Sequence, residues 1–273
     1  MSLDIKKIVL LSGLGFGAFT YYYKYLKANW GWIPDIPDIR DYLFAPAAPG
    51  AGIAETVDLS PKCSPVEYQA NLGSCTAHAV IGALEYLENV ATGQFINLSR
   101  LFVYYNERVI ENSVDRDAGA QLRDGMKALQ TYGVCSESKW PYTISLFKTK
   151  PSDDAYSDAS QHKITSYERI TTLDDMKQCL NEGFPFVFGF ATYGSFNSPE
   201  MAQTGILNMP VSEEKSLGRH AVLAVGYDEP TQRFLVRNSY GASWGIKGYF
   251  TMPYAYFQDP NLSSDFWVIK KDV

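Results

Sequence analysis

The sequence predicts an α+β protein of two lobes, helices first and strands later, with a cleft between the lobes. Three observations carry this. Apolar residues recur at helical spacing between about Ser74 and Gly183. From Phe184 onward, short β-rich runs separated by turn residues take over. The chain has 273 residues, 46% hydrophobic and 14% aromatic, enough to bury a sizeable core. No internal repeat is present.

The first 27 residues differ from the rest. Lys6-Lys7 precede an uncharged run from Ile8 to Tyr23, and Lys24 and Lys27 follow. As a helix this run spans ~24 Å at ~1.5 Å per residue, slightly short of a ~30 Å hydrocarbon layer. Tyr21 to Tyr23, Tyr25, Trp30 and Trp32 suit an interfacial aromatic belt. Residues 1–27 are therefore expected to be a single-pass membrane anchor through residues 8–23. A cleaved signal, giving a secreted or periplasmic product, and a helix packed on the domain are the rival readings. A viral source would place the anchor in a virion or host membrane.

Residues 28–57, rich in Pro, Gly and Ala, hold no sustained period and read as a linker or a short propeptide-like segment. The globular domain is expected over 58–273. Its first helix opens at Ser74-Cys75, with Val80, Leu84, Leu87 and Ala91 on one face and Gly93 as its stop. A second begins at the N-cap Ser99 and runs to Ile110. The third covers about Ala120 to Tyr132 and closes at Gly133. The fourth opens at Thr172, with Asp175 in capping-box position, and ends before Gly183. Strands are predicted over 184–191, 221–228, 233–239, 248–252 and 266–270. The stretch 252-MPYAYF-257 either lines a specificity pocket or belongs to the core.

Composition narrows the function. A net charge of −6 without a Lys/Arg cluster speaks against nucleic acid as a partner. Four cysteines are too few for a disulfide scaffold, and neither they nor the three histidines have metal-ligand spacing. A monomer is expected.

Three polar stretches stand out: 69-QANLGSC-75 at a helix start, 218-GRHAVLAVGYD-228 entering a strand, and 238-NSYGASWG-245 at a strand end. Together they can build a nucleophile. A thiol is mostly protonated at neutral pH, and a helix N-terminus and a neighbouring imidazolium both favour its thiolate. His220 would return the proton to a leaving amine. Asn238 would accept the other ring N–H and hold the imidazole. The Gln69 amide and the Cys75 backbone N–H would receive the oxyanion.

These motifs closely resemble those of the papain-like cysteine peptidases. The family core Q-x-x-x-G-S-C matches Gln69, Gly73, Ser74 and Cys75. Its H-A-V-x-x-V-G-Y matches His220 to Tyr227, and its N-S-W-G-x-x-W-G-x-x-G-Y matches Asn238 to Tyr249 in spacing. His220 lies 145 residues after Cys75 and Asn238 163 after it, against about 130–150 in the family. The L-G-S-C-T-A form is similar to a short-propeptide branch of bacteria, archaea and large viruses. The resemblance implies a helical left lobe, an antiparallel β-barrel-like right lobe, and hydrolysis of peptide or protein substrates through an acyl-enzyme with no metal or organic cofactor. It implies substrate contacts at Gly73, Ser74, Gly218 and Trp244, and a substrate wall at Asp117 and Gly119.

The chain departs from the family near the thiol. Leu72 replaces a cysteine, Thr76 a tryptophan and His78 an aromatic residue; His78 is expected to have a structural or subsite role. Tyr240 replaces the tryptophan that shields the His–Asn bond, so a wetter bond is expected. The segment 31-GWIPDIPDIRDYLF-44 is expected to lie across the cleft as a short inhibitory strap, against the competing view of a bare tether. An inactive papain-like binding protein, or exopeptidase or acyl-transfer chemistry on the same residues, are the alternative functions.

Overall fold

The computed structural model describes residues 31–47 and 52–271. Its centre is a seven-stranded antiparallel sheet: β1 Thr56–Asp58, β2 Ser166–Arg169, β3 Phe186–Tyr193, β4 Ser216–Asp228, β5 Arg233–Arg237, β6 Tyr249–Pro253 and β7 Ser263–Lys270. The order is β2-β7-β3-β4-β5-β6, with β1 also paired to β4. Among the described residues the helices are α1 Cys75–Thr92, α2 Arg100–Ile110, α3 Leu122–Thr131, α4 Asp153–Ala159, α5 Leu173–Asn181, α6 Pro199–Thr204 and α7 Tyr254–Gln258. The expected α+β papain-like class is observed.

The sheet is buried on both faces, which is why β3 reads as a continuous apolar run rather than an alternating one. Val187, Leu223, Val225, Trp267 and Ile269 lie on the face covered by α1 and α3. Phe186, Phe188, Phe190, Val222 and Val268 turn the other way, into the core of the β-rich lobe, with Tyr256 and Phe257 of α7. The stretch 252-MPYAYF-257 thus belongs to the core. Burying each phenylalanine side chain is worth about 1.5–3 kcal/mol, so the aromatic density of this lobe fixes its shape. On the helical side, Arg100 and Glu85 form a buried ion pair at 2.6 Å that ties α1 to α2.

The caps set the helix limits. Ser99 accepts from Phe102 N and Thr172 from Asp175 N, while Gly93 ends α1 at φ 69°. Helices α1, α2, α3 and α5 fall at the predicted sites. Strands β1 and β2 and helices α4, α6 and α7, three to seven residues long, are too short to show a sustained period. All four cysteines are free thiols.

The expected membrane localisation is corrected. Among the described residues no helix is long and apolar enough to cross a membrane. Residues 8–23, on which the anchor rested, lie outside the described residues. Trp32, read as part of an aromatic belt, is instead buried in the protein core.

Candidate active site

Cys75 is the first residue of α1, and its position is fixed from both lobes. Gln69 N donates to Ser239 O at 2.9 Å, pinning the entering chain to the end of β5. The Tyr142 hydroxyl donates to Gln69 O at 3.0 Å and lies 2.6 Å from Ser74 Oγ. The Gln69 amide is oriented by its own bonds. Ser239 Oγ donates to Oε1 at 2.5 Å, and Nε2 gives one hydrogen to Leu72 O at 2.9 Å. The second Nε2 hydrogen remains for a ligand.

His220 lies in β4, opposite Phe190 of β3. Its Nε2 sits 2.8 Å from Asn238 Oδ1. An amide oxygen only accepts, so Nε2 carries the proton and Nδ1 is the nitrogen left for the thiol. Asn238 Oδ1 also accepts from Ser239 N at 2.8 Å, which fixes the amide's orientation. Tyr240 covers the imidazole at 5.1 Å between ring centres, tilted 31°. His220 and Asn238 are both buried, so the expected wetter bond is not found: the smaller ring still covers it.

Cys75, His220, Gln69, Gly73, Gly218 and Trp244 line one cleft of about 550 Å³. Gly31, the first residue of segment 31–44, also lines that cleft. Gly31 bridges to Arg219 and Trp32 to Ala120, both in parallel sense. Gly31 O accepts from Ala120 N at 2.8 Å, and Ile33 N donates to Ala120 O at 2.9 Å. A Cβ on Gly31 would fall 2.5 Å from the Cys75 sulfur, and one on Gly119 would strike the Gly31 carbonyl. The backbones approach so closely that only glycine fits at either position. Trp32 fills the space left by the missing side chain of Gly189 and donates its indole N–H to Asp265 Oδ2 at 3.2 Å.

A charged cluster holds the strap beyond this point. Asp35 Oδ2 lies 3.1 Å from Arg169 and accepts from the Trp267 indole at 2.8 Å, while Asp35 N donates to Asp265 Oδ2 at 2.7 Å. Asp41 pairs with both Arg123 at 2.7 Å and Arg169 at 2.9 Å. Phe44 N closes the run on Arg169 O at 2.9 Å, with its ring buried in the β-rich lobe.

Covered in this way, the site is electrically quiet. Burial pushes the Cys75 thiol up to about 12, against N–H groups of Ala221, Thr76 and its own backbone that favour the thiolate. Burial likewise pushes His220 down to about 4, opposed by its bond to Asn238. Both shifts favour the neutral pair, so the ion pair expected from the sequence is disfavoured while the strap is in place.

Residues 53–265 match the model of the papain family of cysteine proteases. The chain belongs to that family. Its likeness extends to an uncharacterized peptidase C1-like protein of Acanthamoeba polyphaga mimivirus, 42% identical over 90% of this chain and 88% of that protein. Cysteine proteinase 3 of Dictyostelium discoideum is 28% identical over 69% of this chain and 55% of its own length. Among solved structures, xylellain, a cysteine protease from Xylella fastidiosa, superposes with a TM-score of 0.84 at 41% identity, covering 90% of this chain and 97% of that one. The family makes the chain a hydrolase of peptide bonds.

Within this papain-family protein, the remaining predicted contacts divide. Gly73, Gly218 and Trp244 line the cleft, and Gly119 abuts the strap. Ser74 is buried with its hydroxyl on Tyr142 rather than facing the cleft. Asp117 accepts from Gly73 N at 3.0 and 3.1 Å, bracing the loop before the thiol. Sequence reasoning placed Trp32 in the segment expected across the cleft but missed its seat on Gly189, and it missed Ser239, Tyr142 and Asp265. Ser239 stood beside Asn238 and could have been found as the second letter of that motif. Tyr142 and Asp265 carried no local signal.

Proposed function

We propose that the chain is a latent cysteine peptidase with Cys75 as nucleophile, His220 as general base and acid, Asn238 as the ring's support and Gln69 as oxyanion donor. In the open cleft, His220 Nδ1 takes the Cys75 proton and the thiolate attacks the carbonyl carbon of the scissile bond. Gln69 Nε2 and Cys75 N receive the oxyanion. His220 then passes its proton to the leaving amine, and water hydrolyses the thioester acyl-enzyme. The observation that carries this reading is the 2.8 Å bond from His220 Nε2 to Asn238 Oδ1, because it fixes the tautomer the chemistry needs.

Latency follows from how the strap is held. The Gly31 carbonyl is tied to Ala120 N, so its oxygen is engaged away from the Gln69 and Cys75 donors and the strap blocks without being cut. A peptidyl epoxide directed at thiols tests both parts. Labelling is expected at Cys75, lost in Cys75→Ala, and faster when residues 1–34 are removed. Labelling of Cys75→Ala at the same rate would refute the nucleophile. An unchanged rate on removal of the strap would refute latency.

A further inference from the structure

The Asn238 side chain is only half engaged. Its oxygen takes two hydrogen bonds, from His220 and Ser239, yet its buried Nδ2 has no partner. A buried amide N–H left unpaired costs about 1–3 kcal/mol. Beside it is a small cavity of about 10 Å³ whose lining includes Asn238, His78, Ala221, Leu223, Arg237 and Ser239. That is close to the ~10–15 Å³ needed to seat one water.

His78 supplies the matching group. It lies one turn after Cys75 on α1, buried, with Nδ1 2.9 Å from Ser74 O. A carbonyl can only accept, so Nδ1 carries the ring's proton and Nε2 presents a lone pair. Burial, with Arg100 adding to it, holds this imidazole neutral, down to about 3. The Tyr142 ring packs edge-on against it at 5.1 Å and limits its rotation.

We propose that His78 is a positioning residue for Asn238, acting through one enclosed water that accepts from Asn238 Nδ2 and donates to His78 Nε2. The bridge makes the nucleophile helix one end of the support for His220 and completes the bonding of Asn238 on the side where its amide has none. Asn238 held this way keeps its oxygen on the His220 ring through the proton transfers. This inference rests on the Cys75–His220–Asn238 reading above.

The test uses the full chain carrying Trp32→Ala to free the cleft, with a fluorogenic peptide and the pH profile of kcat/KM. His78→Phe fills the cavity but removes the lone pair. It is expected to lower kcat about tenfold with KM within twofold, and to move the alkaline limb, which reports loss of the His220 proton, down by half a unit or more. His78→Gln places an oxygen near the Nε2 position and is expected to restore both. His78→Asn, which mimics Nδ1, is expected to behave like the Phe variant. If Phe serves as well as His, the role is packing alone and the inference fails. Should His78→Phe fail to fold, the Gln and Asn pair decides, and indistinguishable profiles overturn the proposal. A high-resolution structure of the unsubstituted chain is independent of any variant: a water within ~3.2 Å of both nitrogens supports the bridge and its absence overturns it. Failure of Cys75 to take the epoxide would sink the catalytic reading instead, so the two failures are distinguishable.

Discussion

Gln69 does two jobs with one amide. Its oxygen is clamped by Ser239 Oγ and one Nε2 hydrogen by Leu72 O, so the second hydrogen points without freedom to swing. Such preorganised donors are worth most because nothing has to reorient as charge develops. In chain freed of its strap, Gln69→Ala is expected to lower kcat about 10²–10³-fold with little change in KM. Steady-state kinetics on a fluorogenic peptide checks this, and a KM effect without loss of kcat would mean the side chain binds ground state and transition state alike. The thiol's other neighbours illustrate how replacements near a nucleophile are absorbed. Thr76, in place of a large ring, donates to the buried carboxyl of Glu107 at 2.8 Å. Leu72, where a bridging cysteine is absent, is simply buried.

The strap is a short extended element whose strength lies in two anchors, an indole and an ionic cluster. Trp32 is the deeper of the two: its ring replaces a side chain that Gly189 lacks, and a Cβ there would strike the indole. Truncating a buried tryptophan costs about 3–5 kcal/mol, and here that loss falls on the closed state. Trp32→Ala in the full chain is therefore expected to speed epoxide labelling of Cys75 by more than about 100-fold, read by intact-mass spectrometry over time. No acceleration would show that the ionic cluster alone holds the strap. This element also marks the limit of what the sequence discloses. Cys75, His220 and Asn238 were legible because their chemistry demands particular residue types beside glycines and strand ends. The long helices were legible because amphipathic spacing and caps are local. The docking of the segment 31–44 on the domain was expected, but the seat of Trp32 was not: an aromatic residue after an apolar run looks the same whether it meets lipid or a pocket formed by Gly189 and Asp265, both more than 150 positions away. Strands β1 and β2, three and four residues long and only partly buried, owe their existence to β4 and β7 rather than to their own pattern.

At the scale of the whole molecule, closure brings more carboxylates than guanidinium groups into one buried place. Asp35 and Asp41 arrive on the strap; Asp265, Arg123 and Arg169 wait on the domain. Burial raises Asp35 above the usual carboxylate range despite Arg123 and Arg169. Burial and the adjacent Asp35 push Asp265 up to about 7, with Arg169 opposing. Glu111 is pushed up as well, to about 8, chiefly by its own burial, with Asp124 and Asp35 adding to it. An acid whose pKa is raised in the closed form binds its proton more tightly there than when the strap is free. Closure is then fully stabilised below the ordinary carboxylate pKa of about 4 and loses that stabilisation as pH rises through about 7. The strap is thus expected to loosen toward neutral and alkaline pH, and acid should tighten it. Hydrogen exchange of the Ile33 and Ala120 amides, both bonded across the strap, reads the opening directly once corrected for intrinsic rates. Their opening constant is expected to rise between pH 4 and 7 by up to about tenfold per unit for each proton lost. Asp265→Asn should flatten most of that slope, because an amide cannot titrate. Protection that grows with pH in the unsubstituted chain would mean that the guanidinium groups outweigh burial, and that the cluster closes on ionised carboxylates.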